Sequence, residues 1–256
     1  MSIAWLSVFL DFPIEDYDRG IDFWCAVTGT RRSAARGPGG RFMTLLPADG
    51  DAYLRVQRID EGIGGCHLDL LLDPTVQSLD AACARAMSLG ARLLSREDDR
   101  VLLASPGGFA FCLVPWDGEQ RVPSPAVFAG GDSTATGVSR VHHFCLDIPA
   151  WNFDAECTFW AELTSWPVHQ ASVSGFSYLA QEGPKPVELL FQRRQSAEPE
   201  DLVTAHLDVA CSDLASLTAA HAAAGARIVS EHEFWVTLTD PVGREYCLVQ
   251  NDSLTG

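Results

Sequence analysis

The stretch "AHLDVACSD", residues 205 to 213, is answered by "CHLDLLLD" at residues 66 to 73. Both read as a histidine that opens a mostly apolar strand, followed two residues later by an aspartate. Further pairs keep step with them. "LGARLLS" at 89 to 95 faces "AGARIVS" at 224 to 230, and "SPGGFAFCLVP" at 105 to 115 faces "DPVGREYCLVQ" at 240 to 250. Gly90 to Pro106 is 16 residues and Gly225 to Pro241 is also 16, whereas His67 to Gly90 is 23 and His206 to Gly225 is 19. One short insertion accounts for that difference, so the chain contains a duplication.

Upstream, "FLDFPIEDYDRGIDFWCAVTG" at 9 to 29 matches "CLDIPAWNFDAECTFWAELTS" at 145 to 165, and "YLRVQR" at 53 to 58 matches "ELLFQRR" at 188 to 194. The apolar spacing of Phe23, Trp24 and Val27, and of Phe159, Trp160 and Leu163, predicts one buried face on each of two helices. Each half therefore reads as two β-α-β-β-β units. Between the halves, residues 117 to 139 are rich in Pro, Gly, Ser and Thr without periodicity, as in a linker. The expected organisation is residues 1 to 116, a linker at 117 to 139, and residues 140 to 256.

The chain has 256 residues, 47% of them hydrophobic, which is enough for two ordinary cores. A formal net charge of -16 disfavours nucleic acid and anionic membrane surfaces, which recruit clustered Lys and Arg. The expected partner is a small neutral or apolar molecule, and a homodimer is compatible with the sequence. No apolar run reaches the length of a membrane span and the N-terminus lacks a signal-peptide pattern, so a cytoplasmic protein is expected. The eight cysteines sit largely in apolar strand-like runs without a CxxC spacing, and are read as reduced core residues.

Glu245 poses a chemical question, because its strand is otherwise apolar and the matching residue of the first half is Ala110. A buried carboxylate there needs a partner, a metal ion or a ligand; the ordinary alternatives are an exposed strand start with Glu245 beside Arg244, or a salt bridge to Arg227. His143 and His206 each open an apolar strand, where a satisfied core histidine is the ordinary outcome. Two imidazoles with one carboxylate suit Zn, Ni, Mn or Fe(II) and leave coordination positions open. Strand alternation points His142 away from His143 and puts Asp208 on the face of His206, where it can orient an imidazole. His169, His221 and His232 read as loop or helix-surface residues, and Arg55 as a rim arginine able to meet an anion. Trp5, Trp151, Trp166 and Trp235 lie near strand ends or loops, where packing competes with ligand stacking.

The motifs "HHFCLDIP", "FWAELT", "ELLFQRR", "AHLDVACSDL", "AAGARIVS" and "DPVGREYCLVQ" resemble the vicinal oxygen chelate superfamily, in its glyoxalase, bleomycin-resistance and dioxygenase branch. The resemblance covers nearly the whole chain. It implies an α+β fold of two tandem domains, each made of two paired βαβββ units that form a curved, cup-shaped mixed sheet with helices on the outer face. It implies metal ligands at His143, Glu188, His206 and Glu245, with Glu245 and Glu188 as the carboxylates available for catalysis. At the matching places the first half has Ser7, Tyr53, His67 and Ala110, and is expected to be metal-free. The implied function is a metal-dependent lyase, isomerase or dioxygenase acting on vicinal oxygens; the alternative is metal-free sequestration of a drug or metabolite. Against the dioxygenase reading, His232 stands too close to "DPVG", and Thr237 or a neighbour takes the place of that group's tyrosine.

Overall fold

The computed structural model describes residues 1–129, 136–195, 198, 201–251 and 254. Eight strands come from the first repeat: β1 (Ile3–Pro13), β2 (Arg31–Arg32), β3 (Phe42–Leu46), β4 (Leu54–Ile59), β5 (Gly65–Leu72), β6 (Arg92–Arg96), β7 (Val101–Ala104) and β8 (Ala110–Pro115). They form one sheet in the order β2-β3-β4-β1-β5-β8-β7-β6. The second repeat supplies β10 (Thr136–Pro149), β11 (Val168–Gln170), β12 (Phe176–Leu179), β13 (Glu188–Arg194), β14 (Thr204–Cys211), β15 (Arg227–Glu231), β16 (Trp235–Thr239) and β17 (Glu245–Gln250). Their order, β11-β12-β13-β10-β14-β17-β16-β15, repeats the first. The architecture is the expected α+β, cup-like fold with paired βαβββ units.

Four helices join the strands: α1 (Tyr17–Thr28), α2 (Leu79–Ser88), α3 (Phe153–Thr164) and α4 (Leu214–Ala223). Local chemistry fixes where they start and stop. Ser78 Oγ accepts the amide of Ala81 at 3.2 Å at the head of α2, and Asp213 Oδ1 accepts that of Ser216 at 3.0 Å at the head of α4. Helix α1 ends on Gly29 at φ 63°, and α3 ends at the matching position on Ser165 at φ 65°.

The HLD strands β5 and β14 run parallel to β8 and β17, with Asp69 opposite Cys112 and Asp208 opposite Cys247. Leu68 to Leu72 and Leu207 to Cys211 are buried throughout. Such unbroken burial is what a strand covered on both faces requires, and it explains the near-continuous apolar run after each histidine. The expected linker contains a short strand, β9 (Ala126–Ala129), antiparallel to the start of β10. Its residues 130 to 135 lie outside the described residues.

The chain packs into two compact units, and each draws on both repeats. One comprises residues 1–9, 66–122 and 144–205; the other comprises 10–65, 123–143 and 206–256. In the first unit Trp160 of α3 meets Phe111 of β8 edge to face, with ring centroids 5.1 Å apart. In the second, Trp24 of α1 meets Tyr246 of β17 in the same way at 5.3 Å. All four rings are fully buried, and edge-to-face pairs add about 1 kcal/mol beyond their area.

Each buried indole N–H also needs an acceptor. Trp24 Nε1 donates to Asp240 Oδ2 at 3.1 Å, whereas Trp160 Nε1 donates to Glu156 Oε1 at 2.9 Å. The carboxylate thus comes from a turn in one unit and from the helix itself in the other. His221, expected on the helix surface, is instead 1% exposed, with Nδ1 2.9 Å from the Tyr246 hydroxyl. Its small-residue helix let an imidazole pass for a surface residue in the sequence. Burial pushes it down to about 4, so it is neutral at pH 7.

Candidate metal centre

The site begins with the period-two alternation of β14. His206 and Asp208 point to one face, while Leu207 and Val209 are buried on the other. Asp208 is 5% exposed and its register partner across to β17 is Cys247. The donor atoms of His206, Asp208 and Cys247 all lie within 4.8 Å of one another. His206 Nε2 is 3.3 Å from Asp208 Oδ1, and His143 Nδ1 is 3.1 Å from Asp208 Oδ2. Burial alone would raise the Asp208 carboxyl. The hydrogen bonds and charges of His143 and His206 overcome that effect and hold it well below the usual carboxylate range.

An ionised Asp208 fixes the tautomer of His143, since its Nδ1 must carry the proton that the carboxylate accepts. In the neutral ring that tautomer keeps the lone pair on Nε2. A carboxylate behind an imidazole is the usual support of a metal-ligating histidine, and here one carboxylate supports two. The donors gathered here, an imidazole, a carboxylate and a thiol, with His143 on the other oxygen of Asp208, are of the types that suit a divalent ion of the Zn or Fe(II) kind.

Strand β10 departs from regular alternation at this place. Gly137, Ser139 and Val141 are buried, His142 and His143 are both half-exposed, and Phe144, Cys145 and Leu146 are all buried. Consistently, the rings of His142 and His143 lie 4.5 Å apart, too close for neighbours on opposite faces. The expectation that His142 points away from His143 is therefore corrected. Burial, then His143 and Arg140 beside it, push His142 down to about 4. Arg140 approaches its Nδ1 at 3.4 Å.

Glu245 opens β17 on the same face as Cys247, and the register puts it level with His206. It is exposed, and among the described residues it has no hydrogen bond or ion pair. The alternative salt bridge to Arg227 is not made. Arg244 bonds instead to the carbonyl of Asp11, with its guanidinium 4.2 Å from the Phe12 ring centroid. Glu188 opens β13, exposed, in the other compact unit. The structure thus brings His143 and His206 together on Asp208 and places Glu245 at the same level of the sheet.

Two contributors escaped the sequence reading. Cys247 was legible in principle, because it follows Glu245 by two residues and so shares its face; it reads as core filler in an apolar run. The other is His142, whose ring lies beside that of His143 without a sequence signal to place it there. Of the tryptophans near strand ends, Trp5 and Trp166 are core residues at 1% and 4% exposure, while Trp151 is exposed and donates to the carbonyl of Glu198. His169 stacks on Tyr178 and His232 on Trp235.

In the first repeat, Ser7 is fully buried and Ala110 half-buried. Tyr53 is buried and donates to the carbonyl of Val141 at 2.8 Å. His67 lies flat against Phe9, with ring centroids 4.6 Å apart, and its Nε2 is 3.7 Å from Asp69 Oδ1. Among the described residues no helix is long and apolar enough to cross a membrane.

Comparison with known proteins agrees with this fold. The glyoxalase-like domain family matches residues 7–114 and 143–249, one match per repeat. Among solved structures, the chain is similar to 2,2',3-trihydroxybiphenyl 1,2-dioxygenase from Sphingomonas wittichii strain RW1, with a TM-score of 0.65 at 12% identity over 98% of this chain and 91% of that one. It is also similar to the 2,3-dioxygenase LapB from Pseudomonas sp. KL28, with a TM-score of 0.64 at 11% identity over 98% and 93%. The Mn(II)-bound glyoxalase from Novosphingobium aromaticivorans gives 0.63 at 14% identity over 97% and 81%. No curated protein sequence matches the chain. Two family matches that together span most of the chain, on two copies of the same strand order, identify it as a tandem member of the glyoxalase-like domain family in the vicinal oxygen chelate superfamily.

Proposed function

We propose that this protein is a metal-dependent enzyme of the glyoxalase or dioxygenase type, with its active site in the second repeat at residues 140 to 256. The observation that carries the reading is the convergence of His143 and His206 on the buried Asp208. His143 and His206 would supply imidazole ligands to a divalent ion, with Glu245 as the carboxylate ligand. A bound ion supplies Lewis acidity toward the vicinal oxygens of a small substrate. Asp208 holds both imidazoles in one orientation and one tautomer, and its charge raises their basicity. Glu245 is exposed and unpaired among the described residues, which suits a carboxylate that exchanges between an ion and a substrate proton. The tandem glyoxalase and dioxygenase structures it resembles support this class of chemistry.

Titration of Zn or Mn into chelator-treated protein tests the proposal. Wild type should bind, and Glu245→Ala and His206→Ala should each weaken the second-repeat site by more than about 10-fold, following the scale of ligand and outer-shell losses. Equal affinity in all three proteins would refute it.

A second reading, metal-free binding of a small molecule in the manner of bleomycin-resistance proteins, draws on one observation: Asp208 already engages both imidazoles. Under that reading an amine-bearing ligand partners Glu245, and the titration shows no ion bound at the second repeat.

A further inference from the structure

The first repeat was expected to be metal-free because position-matching left it one histidine. The structure gathers two more donors around that histidine. His67 and Asp69 share a face of β5, and the parallel register sets Cys112 of β8 directly beside Asp69. The donor atoms of His67, Asp69 and Cys112 lie within 4.8 Å of one another. We propose that His67, Asp69 and Cys112 form a second metal site, for a thiophilic divalent cation such as Zn, with its fourth position open to water or a ligand.

Three features support it. The His67 to Asp69 separation of 3.7 Å is longer than a hydrogen bond. It is close to the roughly 3.4 Å edge that nitrogen and oxygen ligands span on a tetrahedral ion with bonds of about 2.0 to 2.1 Å. The imidazole also packs against a neighbour: it stacks on Phe9 with the rings only 8° from parallel, and its Nε2 lies on the Asp69 side. The third feature is the duplication itself. The second repeat keeps the same three residue types at the same places, His206, Asp208 and Cys247, with the same Asp-to-Cys register. By contrast, the neighbouring positions Ser7 and Ala110 have lost the donors found at His143 and Glu245.

The site is enclosed. The side chains of His67 and Asp69 are 12% and 9% exposed, and Cys112 is 2% exposed. Burial of this degree keeps bulk water away and strengthens a charged thiolate's hold on a cation. Arg100 is a cation that also feels Asp69 and Cys112, but its guanidinium pairs with Glu97 at 2.5 Å. Binding converts the Cys112 thiol to a thiolate and releases one proton to solvent, so the affinity rises with pH.

This inference stands apart from the reading of the second repeat, and its test keeps the two separate. In full-length protein carrying His206→Ala and Cys247→Ala, the second triple is removed. Cobalt(II) titrated into that chelator-treated variant should bind at one equivalent and give a sulfur-to-cobalt charge-transfer band in the near ultraviolet. Adding Cys112→Ser should abolish the band with an unchanged far-ultraviolet circular dichroism spectrum, and Asp69→Asn, which removes a ligand, should weaken binding by at least the roughly 10-fold that loss of an outer-shell partner costs. If the double variant misfolds, the comparison is made between wild type and Cys112→Ser alone, which should differ by one bound cobalt. No cobalt in the folded double variant, cobalt without the band, or a band indifferent to Cys112→Ser would each overturn the proposal.

Discussion

His143 Nδ1 lies 3.1 Å from Asp208 Oδ2, and this contact joins the first strand of one βαβββ unit to the first strand of the next. Asp208 is buried, ionised and shared with His206 at 3.3 Å. Replacing it with asparagine keeps the volume but removes the charge and leaves only one acceptor oxygen for two imidazoles. Asp208→Asn should therefore weaken ion binding by about 10- to 100-fold, the usual cost of losing a carboxylate behind a histidine ligand. Competition with a chromophoric chelator measures it. An unchanged affinity would mean that Asp208 is purely structural.

His221 should make the protein acid-sensitive. Burial holds it down to about 4, against a value near 6.5 when unfolded. Between those two values the unfolded chain binds a proton that the folded chain refuses. Its contribution is therefore fully present above about pH 6.5 and is lost as the pH falls toward 4. The full shift corresponds to about 3 kcal/mol. His221→Ala should flatten the pH dependence of urea unfolding between pH 7 and pH 5, at a cost at neutral pH of about 1 to 3 kcal/mol for leaving the Tyr246 hydroxyl without its partner. Equal slopes in both proteins would contradict this. Ala86 stands at the matching place of α2, so alanine suits the helix.

Among the described residues, Ser165 is the non-glycine residue with positive φ, at 65°, where the first repeat uses Gly29 at 63°. A side chain in the left-handed region costs about 1 to 2 kcal/mol, partly offset by the greater freedom of glycine in the unfolded chain. Ser165→Gly should raise stability by about 0.5 to 1 kcal/mol, seen as a shift of the denaturation midpoint with unchanged m-value. A lower midpoint would show that the Ser165 hydroxyl, 3.0 Å from the N-terminal amine, outweighs the backbone strain.

Much of the fold was legible in the sequence because duplication amplifies weak signals. A strand such as "HLDLLL" or a helix around "FWCAV" is ambiguous alone, but two copies at fixed spacing give the strand order of both sheets at once. The compact units were not legible. Nothing in the sequence shows that Trp24 of the first repeat packs on Tyr246 of the second, since packing partners across a sheet face leave no periodicity. The site was partly legible. His143, His206 and Asp208 follow from alternation and position, whereas the close approach of the His142 and His143 rings does not. Cys247 and Cys112 read as small apolar residues, and only register reveals the aspartate beside each. Glu245 appeared buried because its strand is apolar, yet a strand's first residue sits at the sheet's rim and is exposed.

The most direct test of the central claim is the metal content, by mass spectrometry, of the protein purified without a tag, beside His143→Ala handled identically. The account predicts divalent ion in the wild type at one equivalent or more, and one equivalent less in the folded variant. Wild-type protein that is folded but free of metal, or a variant with the same content, would contradict it.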